Sequence, residues 1–323
     1  MNFFLIIIDP GLIALLCLGF SFTYNMEKFP NFAQIGLAAM GSMITFYLVV
    51  YLGFSPYLAV PFAAGFCGLL GVFLYLSIVR PLRRHGGYRD ITLTLAFLAV
   101  SLILRTFYFM FSYWSSVARK IPGRGYNVSR YDFIVFDMPS IAIIAPIACV
   151  LLVTILYLFL TRNSFGVTLR AVAEDESLAA ILGIDTYRTH IASWLLVGTL
   201  AGFAGSMLSI DRGMSSEFDI LFVIVMAGSF IGGINSVFGA ALGGFSIDLL
   251  INWLPGIAKS FIGSYKINLL FGDFDIYSLT SLLPYIVLYI VLIYEPEGII
   301  ELLLRLRRYF GNLSRGKTTL SKN

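Results

Sequence analysis

The chain has 323 residues, 59% of them hydrophobic and 12% charged, with a formal net charge of +4. Soluble domains carry about 45–50% apolar and about 25% charged residues, so a soluble globular fold is excluded. Several runs reach the roughly 20 apolar residues that cross a hydrocarbon core, and none alternates in polarity as barrel strands do. The fold class is all-α: a polytopic membrane helical bundle.

The first expected span is 3–24, interrupted near its start by Asp9, Pro10 and Gly11. A short polar break, 25–31, leads to an apolar segment at 32–52 and a third at 57–79, with Gly65, Gly68 and Gly71 along one side. An arginine-rich stretch, 80–90, precedes span 91–112, which contains Arg105. A loop at 113–138 separates it from 141–160, where Pro146 is expected to kink the helix. Next comes a loop, 162–190, between two apolar runs; within it Gly166–Gly183 is a helix-length polar island with Glu174, Asp175 and Glu176 in a row. Span 191–210 follows. Segment 220–254 reads as two shorter helices meeting at Gly232, Gly233, Asn235 and Ser236, a break placed near mid-membrane. A mixed loop, 256–278, leads to a last span at 279–294 and a basic tail at 295–323. These are nine segments, within a range of about 8–10 transmembrane or re-entrant ones. Residues 1–294 are expected to form one transmembrane domain, with the tail at 295–323 separate from it.

Lys and Arg counts set the orientation. With the island inside, inside loops carry fourteen and outside loops seven. That places the island and the C-terminus in the cytoplasm and the N-terminus outside, against the four basic residues of 113–138.

Cys17, Cys67 and Cys149 each stand alone in apolar runs and read as packed small residues. His85 and His190 fall in polar loops beside Arg and read as membrane-boundary residues, with no metal or catalytic pairing. No cleavable signal peptide is expected. The tail sequence GNLSRGKT, 311–318, fits a phosphate-loop expression. It lacks the strand before and the helix after that the chemistry needs, so it reads as a lipid-surface segment.

Candidate path or gate residues are the polar groups within or beside spans: Asn31, Gln34, Gly232, Gly233, Asn235, Ser236 and Asp248. Asn235 and Ser236 have two readings, lining a solute path or capping the second helix. Asp248 shares a helix face with Asn252 and either gates a path or pairs with a neighbour such as Arg105. Small residues at Gly198/Gly202, Gly228/Gly232 and Gly239/Gly243 read first as close helix packing. In the island, Leu169, Val172, Ala173, Ala180 and Leu182 form an apolar stripe opposite the acids, and Gly183 suits a helix-ending position. Acids fit an anionic membrane surface poorly, so the island is expected to meet a protein.

RAVAEDESLAAILGID, 170–185, resembles the cytoplasmic loop of branched-chain amino acid ABC transporter permeases of the LivH/LivM type. Arg170, Ala171, Val172, Ala173, Asp175, Ala179, Gly183 and Ile184 match in register, while Ser177 and Leu178 stand where Glu and Ala are usual. NFAQIGLAAMG at 31–41, VRPLRRHGG at 79–87, IGGINSVFGAALGG at 231–244 and IYEPEGI at 293–299 resemble further family segments, in order. The second of these favours the LivH-like member.

The resemblance implies the permease subunit of an ATP-driven importer in the cytoplasmic membrane. It would assemble with ATP-binding subunits, a second permease as a heterodimer and an extracytoplasmic solute-binding protein. Lipid, not nucleic acid, would surround it. The island would be the coupling helix, with Arg170, Ala173, Glu174, Asp175, Ala179 and Gly183 facing the ATPase. The chain itself would hold no cofactor and no catalytic residue, since ATP is used by the partner. Alternatives are a family member for urea, amides or another small polar solute, or a stand-alone channel or ion-coupled carrier.

Overall fold

The computed structural model describes residues 3–84, 90–120, 124–214, 218–262, 266–269, 272–275 and 282–294. Its helices are α1 (Phe3–Glu27), α2 (Gln34–Phe46), α3 (Pro56–Leu74), α4 (Arg80–Arg84), α5 (Asp90–Ala118), α6 (Ile141–Arg162), α7 (Ser164–Glu174), α8 (Glu176–Ile181), α9 (Thr186–Asp211), α10 (Phe218–Gly232), α11 (Val237–Ile262) and α12 (Leu283–Tyr294). Single π-helical turns, Tyr47–Tyr51 and Tyr75–Val79, extend α2 and α3. Among the described residues, six helices are long and apolar enough to cross a membrane, and α10 and the apolar part of α11 are shorter.

These helices divide by what surrounds them. The apolar windows of α1, α2 and α9 are buried inside the chain to 78%, 67% and 67%, those of α5 and α6 to only 28% and 22%. A helix that is apolar all round and enclosed by its own chain is a core element. Glycine decides how closely these core helices approach. A Cβ on Gly205 of α9 would collide with the Ala38 carbonyl of α2, and one on Gly198 with the Cys67 carbonyl of α3. Gly228 and Gly243 likewise bring α10 and α11 backbone to backbone. Gly68 and Gly71 face α9, whereas Gly65 faces open space. Close packing by small residues is what drives helices together where water cannot.

Several expectations need correction. Helix α1 runs unbroken through Asp9, Pro10 and Gly11: Asp9 pairs with Arg212 at 3.4 Å, and Gly11 packs on Cys149. The 113–138 region is not all loop. Helix α5 extends to Ala118, and a small antiparallel hairpin pairs β1 (Ile134–Val135) with β2 (Met138–Pro139). Buried Tyr126 and Val128 tie this region to Ser209 at the end of α9. The supposed mixed loop at 256–278 contains the end of α11 and a second hairpin, β3 (Lys266–Leu269) with β4 (Gly272–Asp275). His85, the 311–318 motif, the tail at 295–323 and most of the 293–299 segment lie outside the described residues.

The chain between α1 and α2 is the irregular piece that matters most. Glu27 lies beside Trp194, but Gln34 lies over Gly19 and near Val197. Residues 28–33 therefore lead back into the bundle from Glu27 to the level of Gly19, about 12 Å of helix rise away. Non-helical backbone at that depth needs internal partners. Lys28 N–H donates to the Tyr24 carbonyl, Ala33 N–H to Asn31 Oδ1 and Gln34 N–H to the Asn31 carbonyl.

Candidate functional site

The acidic island is two helices, not one. Asn163 caps α7 by accepting from Phe165 N–H at 2.9 Å. Asp175 then leaves helical geometry, with φ −149° and ψ 103°. Its Oδ1 accepts from Leu178 N–H at 3.0 Å and Ser177 Oγ at 2.6 Å, which starts α8. Asp is among the strongest N-caps because its short carboxylate reaches the free N–H groups of the first turn. These bonds, the Ser177 hydroxyl foremost, hold the Asp175 carboxyl below its usual range. Gly183, at φ 83°, ends α8, and Ile184 N–H closes back on the Ala179 carbonyl.

The break resets the helical phase, so the expected stripe fails. Leu169 and Val172 are buried and Ala173 is half-buried, but Ala180 and Leu182 are exposed, and Ala179 is buried instead. Leu178, Ile181 and Leu182 are 54%, 81% and 71% exposed. The island thus presents an apolar tip on α8, with exposed Arg170, Glu174 and Asp175 beside it.

Beneath the island lies a charged cluster that sequence reading missed. Glu27, fully buried at the end of α1, accepts from His190 Nδ1 at 2.8 Å and Trp194 Nε1 at 2.8 Å, and pairs with Arg83 Nη2 at 2.5 Å. Glu176 of α8 meets His190 Nε2 at 3.1 Å and Arg83 Nη1 at 3.2 Å. Both ring nitrogens of His190 thus face carboxylate oxygens, which only accept. An imidazolium satisfies both and balances two carboxylates against two cations. Arg83 Nη1 also lies 3.3 Å from His190 Nε2, a contact between two donors that the flanking carboxylates screen. His190 is therefore no loop residue: it sits in the first turns of α9, stacked on Tyr75 and buried. The bond from His190, and then its charge and that of Arg83, hold the Glu176 carboxyl below its usual range. The cluster ties α1, α4, α8 and α9 together. Its members lie up to 163 residues apart, so no local pattern could have joined them.

The break between α10 and α11 is not at mid-membrane. Ser21 Oγ and Asn25 Nδ2 of α1 both donate to the Ile234 carbonyl, which places the turn at the island end of the bundle. Gly233 takes φ 92°, and a Cβ on Gly232 would strike the Gly239 carbonyl. Ser236 is a cap, its Oγ accepting from Gly239 N–H at 3.2 Å. Asn235 is exposed and lines a cleft of about 610 Å³ with Asn25, Lys28, Arg170, Ala173 and Glu174. Candidate coupling residues and one candidate path residue therefore share a cleft. Asn31 and Gln34 are fully buried at the start of α2, with Asn31 Nδ2 and both amide atoms of Gln34 unbonded. Asp248 accepts from Asn252 Nδ2 at 2.9 Å, and its charged neighbours are Asp9 and Arg212, not the suggested Arg105.

Residues 2–292 match the family model described as the branched-chain amino acid transport system/permease component. A branched-chain amino acid transport permease protein LivH of Methanocaldococcus jannaschii is 32% identical over 297 residues, 91% of this chain and 90% of that protein. The high-affinity branched-chain amino acid transport permease BraD of Pseudomonas aeruginosa is 27% identical over 301 residues, 89% of this chain and 91% of its own. Among solved structures, an inward-facing ABC transporter described as of metal-chelate type is similar with a TM-score of 0.51 at 17% identity, covering 89% of this chain and 84% of its own. That likeness concerns the fold alone. The chain belongs to the branched-chain amino acid transport permease family and is a multi-pass membrane protein.

Proposed function

We propose, from membership of this family, that the chain is a membrane subunit of an ATP-driven importer for branched-chain or related amino acids. It sits in the cytoplasmic membrane with the island and C-terminus inside and the N-terminus outside. Two ATP-binding subunits supply the chemistry, a second permease completes the pathway, and an extracytoplasmic binding protein delivers the solute. This chain binds no cofactor and carries no catalytic residue. Residues 1–294 form the permease domain and 295–323 a basic tail at the membrane surface.

One observation carries the coupling role: α8 and the residue that follows it expose Leu178, Ile181 and Leu182 outside the candidate spans, with no described residue covering them. Apolar residues on a short helix suit docking into a partner's groove. Arg170, Glu174 and Asp175 supply polar contacts around that tip, Ala173 and Ala179 seat it, and Gly183 ends it. Glu176 then links the tip to Arg83 and His190, so displacement of α8 reaches α4 and α9 directly and α1 through their shared partner Glu27. Asn31, Gln34, Asn235 and Asp248 are proposed to border the path, with Gly232, Gly233 and Ser236 shaping the turn beside it.

The test is reconstitution with and without the ATPase subunits. ATP-dependent leucine uptake, lost with Ile181→Asp because the ATPase no longer co-purifies, is the expected result. Uptake by this chain alone would refute the reading and favour a channel or ion-coupled carrier.

A further inference from the structure

Two grooves lie end to end along helix α6. The first is the cleft of about 610 Å³ beside the island. Its walls are apolar, from Phe22 of α1, Leu160 of α6, Leu169 of α7 and Phe238 of α11. Tyr157 of α6 packs edge-on against Phe238, with ring centroids 5.2 Å apart, so α6 and α11 meet at the cleft. Lys28 and Arg170 line the same cleft, both exposed, and neither side chain has a hydrogen bond or ion pair among the described residues. Against these two cations stands one lining acid, Glu174, which leaves one positive charge in excess. The second groove, about 620 Å³, runs over Pro146, Ile147, Val150, Leu151, Thr154 and Ile155 of α6. It is apolar in effect, since the Thr154 hydroxyl donates to the Val150 carbonyl of its own helix. Ile147, Val150, Thr154, Tyr157 and Thr161 recur at i, i+3, i+7, i+10 and i+14, so one stripe of α6 joins the two grooves.

The depth of this stripe decides what fits it. Helix α6 ends at Arg162, so Tyr157 sits about 8 Å inside that end and Ile147 about 15 Å deeper. That second length is half the roughly 30 Å hydrocarbon core, the reach of an acyl chain in one leaflet. The charged cleft then stands at headgroup level, where tyrosines gather at membrane interfaces. A free amino acid is too small for it, because the cleft holds about 20 water volumes, far more than leucine fills. The tail at 295–323 has the wrong sign, with six Lys and Arg against three acids. Basic pockets between spans suit anionic lipid headgroups. We propose that the two grooves form one site for an anionic phospholipid, with its phosphodiester on Lys28 and Arg170 and an acyl chain along the α6 stripe. The bound lipid bridges the end of α1 to α7 and so holds the island against the bilayer. This assignment does not rest on the importer function proposed above.

The experiment titrates the full chain, purified in detergent, with phosphatidylglycerol or phosphatidylcholine and counts bound lipid by native mass spectrometry. Phosphatidylglycerol is expected to bind more tightly. Lys28→Gln and Arg170→Gln should each weaken it about fivefold, and the double variant about 30-fold, the scale of one and two cations at a lipid surface. Glu174→Gln removes the one acid and should bind phosphatidylglycerol at least as tightly as wild type. To locate the site, a water-soluble thiol reagent should modify Tyr157→Cys, and phosphatidylglycerol should slow that modification while phosphatidylcholine and free glycerol phosphate do not. The native thiols are buried and add little background. Full binding and protection in the Lys28→Gln/Arg170→Gln background would overturn the assignment. So would a loss in Glu174→Gln equal to that in Lys28→Gln, because the ligand would then be held by a cation of its own. Protection by glycerol phosphate alone would mean a soluble anion and overturn the lipid. Protection by leucine or by ATP-binding subunits, with none from phosphatidylglycerol, would give the cleft to solute or to a protein partner and overturn it as well. All the substituted charges are exposed, and the Tyr157→Cys protection decides the site in an otherwise unaltered chain.

Discussion

Neutralising Glu27 should be the most damaging single charge change at the island end. Glu27→Gln keeps the shape of the side chain but removes the only fully buried carboxylate of the cluster. Three donors now converge on it: His190, Trp194 and Arg83. Removing one partner of a buried ion pair costs about 3–5 kcal/mol. Arg83 keeps 20% exposure, and Glu176 still compensates part of the charge, so the lower end, about 3 kcal/mol, applies. Glu176→Gln alone should cost about 1 kcal/mol, because that side chain is 47% exposed and solvent screens it. With both acids neutralised, Arg83 and His190 face each other at 3.3 Å without an anion. The double mutant should then exceed the sum of the singles by about 1 kcal/mol. Denaturant unfolding of the detergent-purified chain provides the assay, followed with a thiol-reactive dye, because Cys17, Cys67 and Cys149 are buried until the bundle opens. A double mutant within about 0.5 kcal/mol of additivity would refute the claim that α1, α4, α8 and α9 meet in one cluster.

Glu174→Lys should weaken ATPase docking without unfolding α8, whereas Asp175→Lys should also remove the cap; Asp175→Asn, which can still accept from Leu178 N–H, should behave as wild type in co-purification and in uptake. Glu176 has a depressed carboxyl, so its contribution is fully present above its ordinary value of 4.5 and is lost only as pH falls through the lowered one. The stability gap between wild type and Glu176→Gln should therefore persist at pH 4.5 and close below it; a gap already closed at pH 5 would contradict the cluster. Gly205→Ala should destabilise by at least about 1–3 kcal/mol through overpacking against the Ala38 carbonyl, and Gly65→Ala, facing open space, should not. Equal melting temperatures for the two variants would refute the close packing of α2 on α9.

The membrane class, nearly all helix positions and the family were legible in the sequence, for a physical reason. An apolar run of spanning length has few other places to go, and the motifs around 170–185 and 231–244 are local in the chain. Local signals also held the caps: Asn163, Asp175, Asp185 and Ser236 are all residue types that start helices. What the sequence left undecided was which local signal would win. Three acids in a row read equally as a charged helix face or as a cap within a broken helix, and only the packing of Leu169, Val172 and Ala179 selects the break at Asp175. The glycine-rich turn at 232–236 was visible, but its depth was not, because depth is set by where Ser21 and Asn25 of α1 meet Ile234.

The island therefore owes its existence, polarity and position between spans to the sequence. Its apolar tip and its anchor are products of tertiary structure. Glu27, Arg83, Glu176 and His190 are ordinary charges in their own neighbourhoods, and they become a charge-balanced cluster around the buried Glu27 and His190 only when α1, α4, α8 and α9 converge. Burial and charge pairing depend on neighbours distant in the chain, which no periodicity within one segment records.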